Sequence, residues 1–590
     1  MIDGAHSTSI LTMPVISRRK PVPSQFNDAI HPLLQRIFSS RGATCDKDID
    51  YSLSNLHSPQ LLKGLPQAVE LLLNALQEQK SVLIVGDFDA DGATSCALSV
   101  AVLRAFGLQK VDFLVPNRFE YGYGLTPEIV EVAQATQPDL IVTVDNGIAS
   151  VEGVRKARSL GIKVIVTDHH LPPKRLPEAD AIVNPNQQGC GFPSKNLAGV
   201  GVIFYVLSAL RSALREQHWF EQQAIEEPKM ADYLDLVALG TVADVVPLDH
   251  NNRILVNQGL QRLRVGCARP GIMALLQVAG KDYRQAVSSD FGFIVGPRLN
   301  AAGRLDDMSV GIRCLLTEDV NIAYEIAVEL DGLNRERRAI EASMQKEALA
   351  GLESMQWDEE ALPVGITLFD EAWHQGVVGI LASRIKDKFH RPVIAFAPSS
   401  ADDDEIKGSA RSISGLHIRD ALDVVATKHP GILQKFGGHA MAAGLSIKRE
   451  HYTEFAERFD QIVRKQLSAD DLCETLLTDG ELDQQDFNLP LAHMIQQAAP
   501  WGQQFPEPLF DGEFFLLQQR IVGEKHLKML LAADQKGEHT IDAIAFNINT
   551  QQWPDATVNK VLLVYQLAVN VFRGQESVQL IVRNIECLRF

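Results

Sequence analysis

The chain runs to 590 residues, 46% hydrophobic and 22% charged, with 56 Lys and Arg against 74 Asp and Glu, a formal net charge of −18. At roughly 100–200 residues per domain that is several domains, and the composition excludes wholesale disorder. The acidic balance excludes a histone-like protein that coats nucleic acid through bulk charge, but not an enzyme that works in a locally basic groove.

The first residues lack a continuous apolar stretch with a small-residue cleavage site and read as a loose N-terminal tail rather than a signal peptide. No segment approaches the roughly 20 apolar residues of a membrane span. Seven cysteines, none in CxxC spacing, read as reduced thiols of a cytoplasmic chain. After a helical segment ending in AVELLLNALQEQK, the run SVLIVGD predicts a buried strand from Val82 to Val85. The same grammar returns in DLIVTVDNG, IKVIVTDHH and ADAIVNP, with helices between them such as TPEIVEVAQA, opened by Thr126 and Pro127. Apolar strands alternating with helices predict a mostly parallel sheet, whose ligands bind at the carboxyl ends of the strands.

A helical region is expected from about Ala198 to Ala350, closing in a long amphipathic helix weakened near Gly332. Its RERR stretch reads first as a solvated face, with contact to a phosphate backbone as the alternative. LPVGITLFD and RPVIAFAP, separated by VVGILASRIKDKF, predict a second α/β lobe. Beyond the polar break SADD, several short alternating segments predict a small β-barrel or sandwich, with Phe514, Lys525, His526, Lys528 and Phe572 interleaved as aromatic and basic residues.

The residues that carry chemistry cluster at strand ends. GDFDADG places Asp87, Asp89 and Asp91 at alternate positions, and persistent strand geometry would aim Asp87 and Asp89 at one point. An Asp-rich turn bent at Gly92 would explain this motif in isolation. However, Asp145 opens DNG, Asp168, His169 and His170 form DHH, and Asp244 interrupts the apolar GTVADVVPL. Carboxylates this close repel unless cations are present, and carboxylates with one or two imidazoles suit a pair of hard divalent ions, Mg²⁺ or Mn²⁺. Such a pair activates water and stabilises a phosphoryl transition state, so the residues point to metal-dependent phosphoester or phosphoanhydride hydrolysis.

In family order, VGDFDADGATS, LVPNRFEYGYGL, VTVDNG, VTDHH, ALGTVADVVPLD, GPRLNAAGR, WHQGVVGILASR, GSARS and FGGHAMAAG resemble the motifs of the DHH phosphoesterase superfamily and, within it, the bacterial RecJ-type exonuclease family. The resemblance implies a multidomain α/β architecture: a mostly parallel-sheet DHH lobe, a connecting helix, a DHHA1 lobe and a C-terminal OB-like β-barrel. The expected division is a tail and helical extension over 1–77, the DHH domain over 78–320, the helix over 321–357, DHHA1 over 358–467 and the OB-like domain over 468–590. It also implies hydrolysis of single-stranded DNA from the 5′ end to mononucleotides in DNA repair and recombination, with two divalent cations.

Carried onto this chain, the pattern makes Asp87, Asp89, Asp145, His169 and Asp244 metal ligands. Asp168 would orient an imidazole or support the metal shell, His170 would face the scissile phosphate, and Asp91 would be a further ligand or a base acting through water. Substrate-binding candidates are Asn117, Arg118, Arg298, Arg304, His374, Ser409, Arg411, Ser412 and His439, with Tyr121 and Tyr123 able to stack on bases or to pack. The implied partners are single-stranded DNA, a RecQ-type helicase and a single-strand-binding protein, with no membrane and a monomeric state. A phosphodiesterase of short oligonucleotides is disfavoured by the extra OB-like domain. A silent replication scaffold is disfavoured by the intact carboxylate set.

Overall fold

The computed structural model describes residues 14–116, 124–354, 363–399, 404–534, 536–537 and 539–588. The four strands expected in the first lobe form, at Val82–Val85, Leu140–Val144, Lys163–Thr167 and Ala181–Val183. A fifth, Val111–Leu114, was not expected; Asp112 breaks its apolar run, and it lies at an edge next to Val82–Val85. All neighbours in the sheet are parallel. Alternation along the strands divides the side chains between two layers of helices: Val82 and Ile84 join one apolar cluster, Leu83 and Val85 another. Thr126 caps the helix Pro127–Gln134 as its sequence predicts, its hydroxyl accepting from the Ile129 N–H.

The helix Val320–Ser354 is continuous through Gly332, where the sequence suggested a weak point. Its Ala323, Ala327 and Leu330 pack into the core of the first lobe, while Met344, Ala348 and Leu352 pack into the second. One rigid rod therefore sets the spacing of the two lobes. The second sheet runs Leu433–Gly438, Ala442–Lys448, Glu405–Arg411, Val393–Pro398 and Ile366–Phe369, with only the last pair parallel. Ser409 and Arg411 of KGSARS thus lie on a central strand, Glu405–Arg411, with Ser412 directly past its end.

Phe510–Val522, His526–Ala532, Thr540–Ala545, Gln575–Cys587 and Lys560–Phe572 close into a five-stranded barrel. Phe514 faces its interior and is buried, so it does not serve as a stacking platform; Phe572 is 66% exposed. Lys528 is paired with Asp542.

The N-terminal segment departs most from expectation. Val15–Arg18 forms a strand parallel to Thr475–Thr478, so from Val15 onward the tail is not loose. Arg18 binds Asp511 and Glu481. Arg41 forms a two-pronged ion pair with Asp479, Nη1 to Oδ1 at 2.7 Å and Nη2 to Oδ2 at 2.9 Å, with side chains 1% and 0% exposed. Phe38 stacks on Trp501 and Phe505, continuing the first lobe's core into that of the barrel. Among the described residues no helix is long and apolar enough to cross a membrane.

Candidate metal centre and substrate cleft

From Val82–Val85 the chain moves to Val111–Leu114 on one side, then returns to Leu140–Val144 on the other. The carboxyl ends of Val82–Val85 and Leu140–Val144 therefore flank a topological switch point, where parallel sheets open a ligand crevice. Asp87 and Asp89 follow the first of these strands and Asp145 the second.

The convergence of Asp87 and Asp89 has a different cause from the one expected. The strand ends at Val85, and the carboxylates meet because the chain turns directly into the helix Ala90–Ala105. Asp89 is its N-cap, Oδ1 accepting from the N–H groups of Asp91 and Gly92 at 3.0 Å each. Gly92 lets the turn close, since a Cβ there would lie 2.4 Å from the Asp87 carbonyl oxygen. Asp145 holds a left-handed backbone at φ 62°, a costly conformation for a non-glycine residue. A Cβ on Gly199 would come 2.5 Å from the Asp145 Cβ, so glycine is what admits the aspartate.

The DHH triplet divides its work. His169 is half-buried; its Nε2 is enclosed, lies 3.1 Å from Asp145 Oδ1 and 3.5 Å from Asp244 Oδ2 and makes no hydrogen bond among the described residues. Burial, reinforced by the neighbouring His170, lowers its pKa, which keeps the imidazole neutral and able to donate a lone pair. Asp168 accepts from the N–H groups of Ile148, His169 and His170 at 2.9, 2.7 and 3.0 Å, and its Oδ1 lies 2.8 Å from His170 Nδ1. The imidazole it orients is therefore that of His170, not the prospective ligand His169. Burial works against the charge of both partners, yet their mutual hydrogen bond wins: Asp168 is lowered and His170 is pushed up to about 9.

Asp244 follows directly on the helix Leu234–Ala243. Asp91 is buried, accepting from the N–H groups of Gly199 and Val200 at 2.6 and 2.9 Å, so its carboxylate pins the helix that abuts Asp145. Sequence reasoning passed over three asparagines. Asn184 and Asn186 donate to the carbonyls of His170 and His169 at 2.9 and 2.6 Å, and Asn300 accepts from the Ala90 N–H at 2.7 Å. The first two lie just past the strand Ala181–Val183, and the rule that ligands gather at strand ends would have found them.

Three sets of side chains each bring one ligand atom per residue within 4.8 Å of one another: Asp87, Asp89 and Asp145; Asp145, His169 and His170; Asp91, His169 and Asp244. His170 of the second set is held by Asp168, and the other two sets, joined by the 3.1 Å approach of His169 Nε2 to Asp145 Oδ1, form adjacent candidate cation positions. The donors fit such ions. Burial, with repulsion from Asp244 and Asp89, pushes Asp91 up to about 7, and burial with repulsion from the other carboxylates holds Asp145 well above the usual carboxylate range. Added positive charge is what would let these groups ionise together.

The second lobe faces this cluster. His439 leaves the strand Leu433–Gly438 and its ring stacks on His170 at 5.8 Å. Arg411 pairs in register with Ala442, whose carbonyl accepts from the His439 N–H at 2.7 Å, so Arg411 and His439 share one edge of the cleft. Arg411 Nη1 donates to Ser409 Oγ at 3.0 Å. Ser412 is different: it is buried and its hydroxyl donates to the Leu416 carbonyl, so it supports the strand end. Arg298 is also committed, to Asp331 on the connecting helix and to the Ile294 carbonyl. Arg304 donates to the Gly376 carbonyl at 3.1 Å and so braces the junction of the lobes, whereas His374 Nδ1 accepts from the Gly376 N–H within its own loop of the second lobe. Asn117, Arg118, Tyr121 and Tyr123 lie outside the described residues.

Comparison with known proteins gives concordant matches. Residues 81–241 match the DHH family N-terminal domain, 362–465 the DHHA1 domain and 478–584 the RecJ OB domain. The chain is 54% identical over 554 residues to the single-stranded-DNA-specific exonuclease RecJ of Escherichia coli K12, covering 94% of this chain and 96% of that one. It is 33% identical over 543 residues to the Bacillus subtilis protein of the same name, covering 91% and 64%. Among solved structures, RecJ of Thermus thermophilus in complex with Mn²⁺ superposes with a TM-score of 0.76 at 29% identity, covering 95% of this chain and 77% of that one.

Proposed function

Because the chain belongs to the RecJ family of DHH phosphoesterases, we infer that it is a metal-dependent exonuclease of single-stranded DNA. The observation that carries this reading is the meeting, at one switch point, of Asp87, Asp89, Asp145, His169 and Asp244, opposite His439 of the second lobe. Two divalent cations, Mg²⁺ or Mn²⁺, are the cofactors that these donors suit. When bound, such ions supply an acidified water and charge neutralisation at the phosphoryl oxygens.

The side chains of the chain have separable tasks. Asp87, Asp89, Asp145, His169 and Asp244 hold the cations. Asp91 positions, through the helix Gly199–Glu216, the backbone against which Asp145 rests. Asp168 fixes His170 as a cation beside His439, which leaves its Nε2–H to donate to a phosphate oxygen. Arg411 and Ser409 offer donors for a terminal phosphate on the same edge as His439. A terminal phosphate held on that edge would leave the next phosphodiester to reach the cluster that His439 faces across His170, which is the arrangement that attack from the 5′ end with release of mononucleotides needs. The OB-like barrel supports binding of the strand beyond the cleft.

The domains proposed are an N-terminal tail and helical extension over 1–77, DHH over 78–320, a connecting helix over 321–357, DHHA1 over 358–467 and an OB-like domain over 468–590. The reading places the protein in DNA repair and recombination in the cytoplasm, acting as a monomer with a RecQ-type helicase and a single-strand-binding protein. The test is degradation of 5′- and 3′-labelled single and double strands with Mg²⁺, Mn²⁺ or a chelator. Loss of the 5′ label from single strands, with either metal only, is expected. Undiminished hydrolysis under chelation, or equal attack from the 3′ end, would overturn the assignment.

A further inference from the structure

The helix Val320–Ser354 turns Ala323, Ala327 and Leu330 inward, into the core of the first lobe, and the opposite face of such a helix is ordinarily polar. Here Val320, Tyr324 and Val328, at successive four-residue steps, are 67%, 43% and 44% exposed. The next residue in the same row is Gly332, around whose missing Cβ there is open space. Glycine is the least favourable residue of a helix interior after proline, and no neighbour among the described residues requires it here. Rows at four-residue steps are the ridges that seat in the grooves of a second helix, and a glycine in the ridge lets the two backbones come close. From Val320 to Gly332 the row runs about 18 Å along the axis, enough for about three turns of a partner.

Charge narrows what can lie there. Between Arg313 and Arg335 the sequence holds five carboxylates, Glu318, Asp319, Glu325, Glu329 and Asp331, and no Lys or Arg. Asp331 is taken by Arg298 and Arg335, and Asp319 accepts from the N–H groups of Asn321 and Ile322 at the start of the helix. Glu325 and Glu329 stand one position on from Tyr324 and Val328, exposed and in no ion pair among the described residues. The ridge is therefore apolar with an acidic border. Nucleic acid would bring phosphates against that border and a second copy of the chain would bring the same carboxylates, so like charge disfavours both.

We propose that the row Val320, Tyr324, Val328 and Gly332 docks an amphipathic helix of a partner protein, one whose apolar stripe is bordered by Lys or Arg. Apolar side chains of that helix would seat between Tyr324 and Val328 and lie on Gly332, while its cations face Glu325 and Glu329. Exposed apolar groups in register on one helix face, rather than scattered singly, are what mark such an interface. The proposal goes beyond the nuclease reading and does not depend on it, since the row holds no residue assigned to the cations or to the terminal phosphate.

The experiment uses the full chain and a fluorescein-labelled peptide of Leu, Lys and Gln, with Leu along one helical face and Lys at its borders, beside a peptide of the same composition whose order destroys the stripe. By anisotropy the striped peptide should bind about tenfold more tightly than the other. Gly332→Gln should raise the melting temperature, because glutamine is the better helix former, yet weaken the striped peptide about tenfold, the loss of a central interface contact. Val328→Ser should weaken it similarly, whereas Val265→Ser, at an exposed valine elsewhere on the first lobe, should not. Glu325→Lys with Glu329→Lys should turn the preference to a peptide bordered by Glu. Turnover of a labelled single strand with Mn²⁺ should stay within about twofold in every variant, as for surface substitutions away from a reaction site. Failure of the wild type to cleave would sink the nuclease reading and leave the docking result standing. Equal binding of the two peptides, or striped-peptide binding indifferent to Gly332→Gln and Val328→Ser, would overturn the proposal. So would a thymidine homopolymer that binds less tightly to the Val328→Ser variant, or a dimer in sedimentation that the same substitution dissociates, because the occupant would then be DNA or a second copy.

Discussion

The rings of His170 and His439 lie nearly parallel across the cleft, 5.8 Å apart and 21° from coplanar, although they belong to different lobes. Asp168 fixes the first ring from behind, and a β-hairpin presents the second. The reaction site is therefore completed only when the lobes are held at one spacing, which is what the continuous helix Val320–Ser354 provides.

Replacement of His439 by Ala should lower kcat about 100–10,000-fold, the usual share of a side chain positioned to move a proton, and leave Mn²⁺ stoichiometry unchanged, because no ligand atom of the cation sets lies on the second lobe. Calorimetric metal titration beside turnover on a labelled single strand checks this. Loss of metal along with activity would place His439 in the cation shell instead.

Metal uptake should release protons. Without cations Asp91 stands at about 7 and Asp145 is raised by burial and repulsion, so protons compete with the metal and apparent Mn²⁺ affinity should tighten from pH 6 to 8. The sign for stability is opposite in the metal-free protein: a carboxyl raised in the folded state loses stabilisation as pH climbs from its unfolded value through about 7. Titration calorimetry in buffers of different ionisation enthalpy reads the proton count directly. A buffer-independent enthalpy would contradict the picture.

Much of the metal centre was legible because its residues sit where apolar runs stop: Asp87, Asp145 and Asp168 each close a strand-like segment, and the strand-end rule then names them. Strand order was not legible, since nothing in the local pattern records that Val111–Leu114 and Leu140–Val144 fall on opposite sides of Val82–Val85. Hence the mechanism by which Asp87 meets Asp89 was read as strand alternation when it is a helix cap. In the second lobe, strands built of Gly, Ala and Ser, as in Glu405–Arg411 and Ala442–Lys448, lack the β-branched enrichment that marks a strand. The hydroxyl of Ser412 and the guanidinium of Arg298 bear on partners distant in sequence or folded over by a turn, which spacing alone does not reveal.

Substituting Gly199 by Ala should cost metal affinity and turnover by more than about tenfold while the protein still melts cooperatively. The added methyl would lie 2.5 Å from the Asp145 Cβ and 2.7 Å from its Oδ1, so either the aspartate or the helix start must yield, an overpacking strain of about 1–3 kcal/mol. Circular dichroism with metal titration distinguishes this from general unfolding. Normal Mn²⁺ binding in the variant would show that the contact relaxes freely.

Arg41→Met should destabilise the protein by about 3–5 kcal/mol, because Asp479 would stay buried without its partner. Changing both, Arg41→Met with Asp479→Leu, should recover much of the loss. Denaturant unfolding, followed by the fluorescence of Trp501 beside this pair, provides the readout. A single variant within about 1 kcal/mol of wild type would mean that water reaches Asp479 readily.

The pairing of Val15–Arg18 with Thr475–Thr478 has a consequence for the order of events on the ribosome. At about 5–20 residues per second, the first strand to emerge waits on the order of 20–100 s for the segment that hydrogen-bonds to it. Through most of synthesis its edge is open to other chains, a hazard that exposed strands carry. Arg18, Arg19 and Lys20, directly at the end of that strand, make it a poorly matched template for a stray copy of itself, and its seating can occur only after both lobes have been synthesised.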